Sequence, residues 1–135
     1  MSNNPSEQFQ GVSLEASLTV NNLEQSARWY AEVLGFSEDR RYEREGRFIA
    51  VSLTAGAVRI LLTQDDGAKG LDRAKGVGLS LQITTHQSAD ALAERVKEQG
   101  GTLDTEPMTM LHGARVFRLR DPDGFRFTIS STHAA

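Results

Sequence analysis

The sequence predicts an α+β fold made of two tandem βαβββ modules. Three observations carry this. The order strand, helix, strand, strand, strand can be read twice along the chain. Within each unit the apolar spacing passes from period two to a helical stripe and back. A polar, glycine-bearing stretch, residues 65–76, separates the two units. With 135 residues, 39% of them hydrophobic, both units fit into one compact domain with a shared core. The expected boundaries are a disordered polar lead-in over 1–11, a first module over 12–64, the linker, and a second module over 77–131.

Each element has a local reason. In Ser13 to Val20, Leu14, Ala16, Leu18 and Val20 alternate with polar residues, which predicts a half-buried strand. Asn21 or Asn22 can cap the helix that follows. Its stripe is Leu23, Ala27, Tyr30, Ala31 and Leu34, and Gly35 ends it. Phe36 to Glu45 is strand-like but charged; Gly46 turns the chain into a third strand, Arg47 to Leu53, and Ala55-Gly56 into a fourth, Ala57 to Thr63. The second unit begins with a strand over Val77 to Ile83. A helix carrying Ala89, Leu92, Ala93 and Val96 follows, ended by Gly100 and Gly101. Thr102 to Leu111 is extended, Ala114 to Arg120 is a strand, Asp121 to Gly124 (DPDG) a tight turn, and Phe125 to Ser131 the last strand.

Composition narrows the partners. A formal net charge of -3 gives no electrostatic reason for a nucleic-acid partner. The absence of cysteine excludes disulfides, thiolate metal sites and a cysteine nucleophile. No apolar run is long enough to cross a bilayer, so no membrane partner is expected. The opening MSNNPSEQFQG lacks the basic-then-apolar pattern of a secretory signal, and the default expectation is a cytoplasmic location.

Two stretches carry a family resemblance. LTVNNLEQSARWYAEVLGF, Leu18 to Phe36, has Trp29-Tyr30 on its helix and Leu34-Gly35-Phe36 at the exit. In the second unit Gly113 precedes RVFRLRDPDGFRFTI, Arg115 to Ile129, with Asp121, Pro122, Asp123 and Gly124 before the final strand. Over residues 12–131 the chain resembles the vicinal oxygen chelate superfamily, the group of glyoxalases, bleomycin-resistance proteins and extradiol dioxygenases. The resemblance implies curled mixed sheets that form a cavity. It also implies that Trp29, Tyr30, Gly35 and Gly124 serve the fold rather than the chemistry.

In the enzymes of that family, four His, Glu or Gln side chains hold a divalent metal. They come from the first and fourth strands of each module. Carried over one at a time, those positions fall on Glu15, Leu61, Gly78 and Thr128. Only Glu15 is an ordinary ligand. A slip of one residue would bring in Leu79 and Phe127 or Ile129 and turn the apolar faces into the cavity. His86, His112 and His133 lie on separate loops and have no metal-binding spacing. The expectation is a metal-free member with no cofactor.

The same register lists what faces the cavity: Glu15, Ser17 and Thr19; Arg59, Leu61 and Thr63; Gly78, Ser80 and Gln82; Arg126, Thr128 and Ser130. From these, Glu15, Ser17, Arg59, Leu61, Ser80, Gln82, Arg126 and Thr128 are the candidate ligand-binding residues. Phe48, Tyr42, Met108, Met110 and Phe117 are candidates for apolar walls, with their faces left open. Arg59 or Arg126 can hold an anionic group and Glu15 a cationic one; the alternative is that Glu15 and an arginine simply pair in a wetted groove.

Such a set favours a non-catalytic small-molecule binder, like the bleomycin-resistance branch, over a metal-dependent lyase or dioxygenase. An antibiotic is one candidate ligand, and relatives suggest a homodimer. Two arginines against one glutamate suit a cationic drug poorly, so an anionic ligand stands beside it. Three alternatives remain: a metal-independent enzyme of lyase or isomerase type with Glu15 as general base, a divalent-metal lyase or dioxygenase with non-standard ligands, and a dimer scaffold.

Overall fold

A computed structural model of the chain describes residues 8–132. The lead-in before residue 8, and His133, lie outside the described residues. The first module contains β1 (Ala16–Val20), α1 (Leu23–Glu32), β2 (Ser37–Arg44), β3 (Arg47–Ala55) and β4 (Val58–Gln64). The second contains β5 (Ser80–Thr85), α2 (Ala89–Glu98), β6 (Leu103–Thr109), β7 (Arg115–Arg120) and β8 (Arg126–Ser131). Two four-stranded mixed sheets result, ordered β1-β4-β3-β2 and β5-β8-β7-β6. In each, the first strand runs parallel to the fourth and the other pairs are antiparallel. The α+β class and the tandem βαβββ order are those the sequence predicts.

The helices start where capping chemistry allows. The Asn22 side chain accepts from the Gln25 amide, and Ser88 does the same for Ala91. At the exit of α1, Gly35 takes a φ of +80 and the Phe36 N–H returns to the Tyr30 carbonyl at 2.9 Å. The edge strand β2 is exposed along its whole length. Its run of Arg and Glu side chains blunts an edge that would otherwise invite pairing with another chain.

Two strands begin three residues later than their alternation suggests. β1 starts at Ala16, not Ser13, and β5 at Ser80, not Val77. Before β5 the backbone turns: Gly76 and Gly78 have φ of +70 and +77, and the Leu79 N–H donates to the Gly76 carbonyl at 3.0 Å. A left-handed residue interrupts an extended ladder, so Gly78 lies in a turn and not on a strand.

Register sorts the side chains. Across the first sheet, Leu18 pairs with Leu62 and Leu62 with Val51, while Ser17 pairs with Leu61 and Leu61 with Ser52. Paired residues share a face, so one face is apolar and the other mostly polar. The second sheet repeats this with Leu81, Phe127 and Leu119 against Gln82, Thr128 and Arg118. The apolar faces of both sheets and both helices contribute to one buried cluster, which includes Leu62, Tyr30, Ala93, Val96 and Phe127. The two polar faces therefore point away from the common core.

The modules are joined by polar bonds, one of them buried, as well as by apolar contact. Tyr30 is 0% exposed, its ring meets Phe127 edge-on with centroids 5.8 Å apart, and its hydroxyl donates to Asp121 Oδ2 at 2.7 Å. Asp121 also accepts from the backbone N–H groups of Asp123 and Phe125, both at 2.9 Å. Asp123 receives the Asn21 N–H at 2.8 Å and the Ser26 hydroxyl at 3.3 Å. Tyr30 of the α1 aromatic pair and Asp121 of the DPDG turn, one residue from each sequence signature, thus bind each other across the modules. The stretch between the modules is also tied down. Asp65, 3% exposed at its side chain, accepts from Lys75 (4% exposed), Arg73 and the Gly67 amide.

Candidate ligand-binding groove

The polar face of the first sheet is organised around Arg59. On β4 it stands opposite the residue that precedes Ala16, because Ala16 pairs with Ile60. Its Nε lies 3.0 Å from Glu15 Oε1 and its Nη1 lies 2.8 Å from Asp39 Oδ2. Nη1 also donates to the Ser52 hydroxyl at 3.0 Å. Glu15, which has no partner nameable from sequence, therefore has one here. The side chains of Glu15 and Arg59 are 48% and 44% exposed, so this is a solvated ion pair. Deeper along the same face, Thr19 and Thr63 share a hydrogen bond of 3.2 Å, and Ser17 and Leu61 stand side by side. Tyr42 lies on this face, with the Arg40 guanidinium 5.4 Å from its ring centroid.

The second sheet presents a different surface. Ser80 pairs with Arg126 and Arg126 with Arg120; Gln82 pairs with Thr128 and Thr128 with Arg118; Thr84 pairs with Ser130 and Ser130 with Val116. The candidates Ser80, Gln82, Arg126 and Thr128 thus share one face, together with Arg118 and Arg120, which sequence reasoning did not single out. Their alternation with Phe117 and Leu119 was the signal that could have placed them. Met108 pairs with Val116 and is exposed on that face.

Two of the wall candidates are corrected. Phe117 is buried in the core opposite Ile129. Phe48 packs against the core with Arg41 stacked 4.2 Å from its ring centroid. A register shift between Tyr42 and Glu43, where β2 meets β3, breaks the simple alternation that would have put Phe48 on the polar face. Met110 lies in the β6–β7 connection, partly buried, where its N–H donates to the Ala114 carbonyl at 2.8 Å.

A cavity of about 400 Å³ runs along the seam between β1, β4 and β5. Glu15, Ser17, Arg59 and Gln82 line it with Leu14, Leu79 and Leu81, so four of the eight candidates from both modules meet there. Leu61, Ser80, Arg126 and Thr128 lie on the groove faces outside that seam. A second cavity, about 590 Å³, lies on the helix side between the end of α1, the β3–β4 turn and α2. Sequence alternation could not reveal it, because it is formed by loop ends. Its cation, Arg95, is bonded to the carbonyls of Ala31 and Glu32 at 3.4 and 3.3 Å.

The four family metal positions lie in these surroundings without a donor set. Leu61 offers no donor atom. Gly78 lies in its turn, with no side chain. Thr128 is a buried hydroxyl on β8. Glu15 is occupied by Arg59. Among the described residues no group of three or more His, Cys, Asp or Glu side chains could hold a metal ion. His86 Nδ1 bonds to the Thr132 hydroxyl at 2.7 Å, and His112 sits exposed in its turn.

Comparison with known proteins accords with the fold. The family model described as Glyoxalase/Bleomycin resistance protein/Dioxygenase superfamily matches residues 13–129. Lactoylglutathione lyases from two serogroups of Neisseria meningitidis are each 33% identical over 119 residues, covering 84% of this chain and 85% of theirs. The solved structure of a glyoxalase I mutant from Zea mays superposes with a TM-score of 0.75 at 23% identity, over 89% of this chain and 45% of that one. A virulence protein from Salmonella typhimurium gives 0.68 at 25% identity, over 92% and 98%. Strand order, paired signatures and a match across nearly the whole described chain agree: this protein belongs to the glyoxalase/bleomycin-resistance/dioxygenase superfamily.

Proposed function

We propose that this chain is a metal-independent member of its family that binds a small molecule in the polar groove of its sheets. One observation carries the reading: the carboxylate at the first metal position is bonded to Arg59, and the other three positions hold Leu61, Gly78 and Thr128. A divalent ion needs several anionic or imidazole donors converging on one point. The side chains present do not fit that need. What they offer instead is apolar wall with a few placed polar groups, the usual make-up of a small-molecule site.

The lactoylglutathione lyase relatives raise an enzyme as the second reading. A general base works best as a desolvated carboxylate with a lone pair free for substrate. Glu15 is half exposed and ion-paired, which supports binding over catalysis. Leu79, in the seam cavity, and Met108, on the polar face of the second sheet, are exposed apolar side chains that a second copy of the chain would cover. Sedimentation at twice the monomer mass is the expected result.

Thermal shift with a panel of small molecules, including antibiotics, tests the binding reading in the presence of a chelator. The expected outcome is saturable stabilisation by one chemical class, with that compound recovered unchanged. Turnover abolished by Glu15→Gln would overturn it in favour of a metal-independent enzyme.

A further inference from the structure

We infer that the groove face of the second sheet is an oxyanion site, built from Arg118, Arg120 and Arg126, that takes the phosphate or carboxylate group of the bound small molecule. This rests on the groove-binding reading and adds the chemical class of the ligand.

The placement follows from register. Arg120 and Arg126 are direct cross-strand partners on β7 and β8, and Arg118 is the partner of Thr128, one step along the same face. Like charges placed directly opposite destabilise a sheet pair, and packing of the core asks nothing of these positions, because all three arginines are exposed. One carboxylate answers them: Asp104 Oδ2 lies 3.0 Å from Arg120 Nε. Among the described residues Arg118 and Arg126 have no acidic partner within ion-pair distance. Two guanidinium groups thus stand uncompensated on a chain whose formal net charge is -3.

The first sheet makes the contrast. There Arg59 is held by Glu15, Asp39 and Ser52, so its donors are occupied. On the second sheet the donors of Arg118 and Arg126 are available, and Gln82 and Ser80 flank them on β5. Adjacent strands lie roughly 4.8 Å apart, so two long arginines on diagonal positions can converge on one group. Planar guanidinium forks match the oxygen pairs of phosphate and carboxylate. A cationic drug would meet repulsion on this face.

The test uses the full chain in chelator, at constant ionic strength, with inorganic phosphate, succinate and sodium chloride as probes. The variants are the double substitution Arg118→Met with Arg126→Met, and Arg28→Met on α1 as the control. Circular dichroism and melting without probe establish that each variant folds. Phosphate or succinate is expected to raise the melting temperature saturably in the wild type and the control. Affinity should fall more than tenfold in the double variant, in line with the loss of charge-assisted bonds. Equal affinity in the double variant, or a shift that chloride reproduces, overturns the oxyanion site. If neutral or cationic compounds bind the groove while both oxyanions fail, the binding reading stands and this inference alone is lost.

Discussion

Replacing Asp121 by alanine is expected to destabilise the protein by on the order of 3 kcal/mol, the cost of leaving buried donors unsatisfied. The carboxylate is 5% exposed and accepts from three donors: the Tyr30 hydroxyl, which belongs to the other module, and the amides of Asp123 and Phe125. Burial raises its pKa, and the three hydrogen bonds pull the other way. Burial and the neighbouring Asp121 charge also push the Tyr30 phenol up, so Tyr30 stays a donor across the accessible pH range. Asp121→Asn keeps an oxygen for the two turn amides and should cost less than alanine. Tyr30→Phe removes one bond and should cost about 1–2 kcal/mol. Urea denaturation orders the three; an alanine variant within about 0.5 kcal/mol of wild type, the range of ordinary surface changes, would contradict the lock between modules.

Lys75→Met is expected to lower the melting temperature clearly at neutral pH, and to do so less at acid pH. It removes a buried ammonium from Asp65 in the segment between the modules. Hydrogen bonding from Lys75, then from the Gly67 amide and Arg73, holds the Asp65 carboxyl well below its ordinary value of 3.8. A depressed carboxyl contributes stability that is present above the unfolded pKa and lost as pH falls toward the folded one. The wild type therefore loses this contribution on acidification below 3.8. The variant has less of it to lose, so the gap between the two should narrow there. Melting curves from pH 7 to pH 3 read this directly, and a constant gap would rule the coupling out.

Much of the fold was legible because periodicity and breakers report backbone geometry. Leu18 to Val20 and Phe127 to Ile129 alternate cleanly, and that alternation sorts the two faces of each sheet as the strand pairing does. What alternation cannot report is where a strand begins once glycines enter, so Gly78 was placed on a strand that starts at Ser80. Nor does it survive a shift of register, which is why Phe48 was open and then fell on the core side. The site was half legible. Glu15 and Arg59 were placed on one face, but their bond depends on pairing between β1 and β4, a non-local fact. Arg118 and Arg120 lie on β7, which carries none of the family metal positions, so the resemblance does not point to them. The Tyr30–Asp121 bond is unreadable from sequence: 91 residues separate its ends, Tyr30 reads as an aromatic that serves the fold, and Asp121 as part of a tight turn.

The proposed chemistry of the groove turns on whether side chains or a metal ion would hold a ligand there. Isothermal titration of the full chain, stripped with chelator and then exchanged, with Zn²⁺, Ni²⁺, Mn²⁺ and Fe²⁺ decides this. The expected result is no stoichiometric binding and an unchanged melting temperature for each ion. One ion bound per chain, and lost in Glu15→Ala, would contradict it.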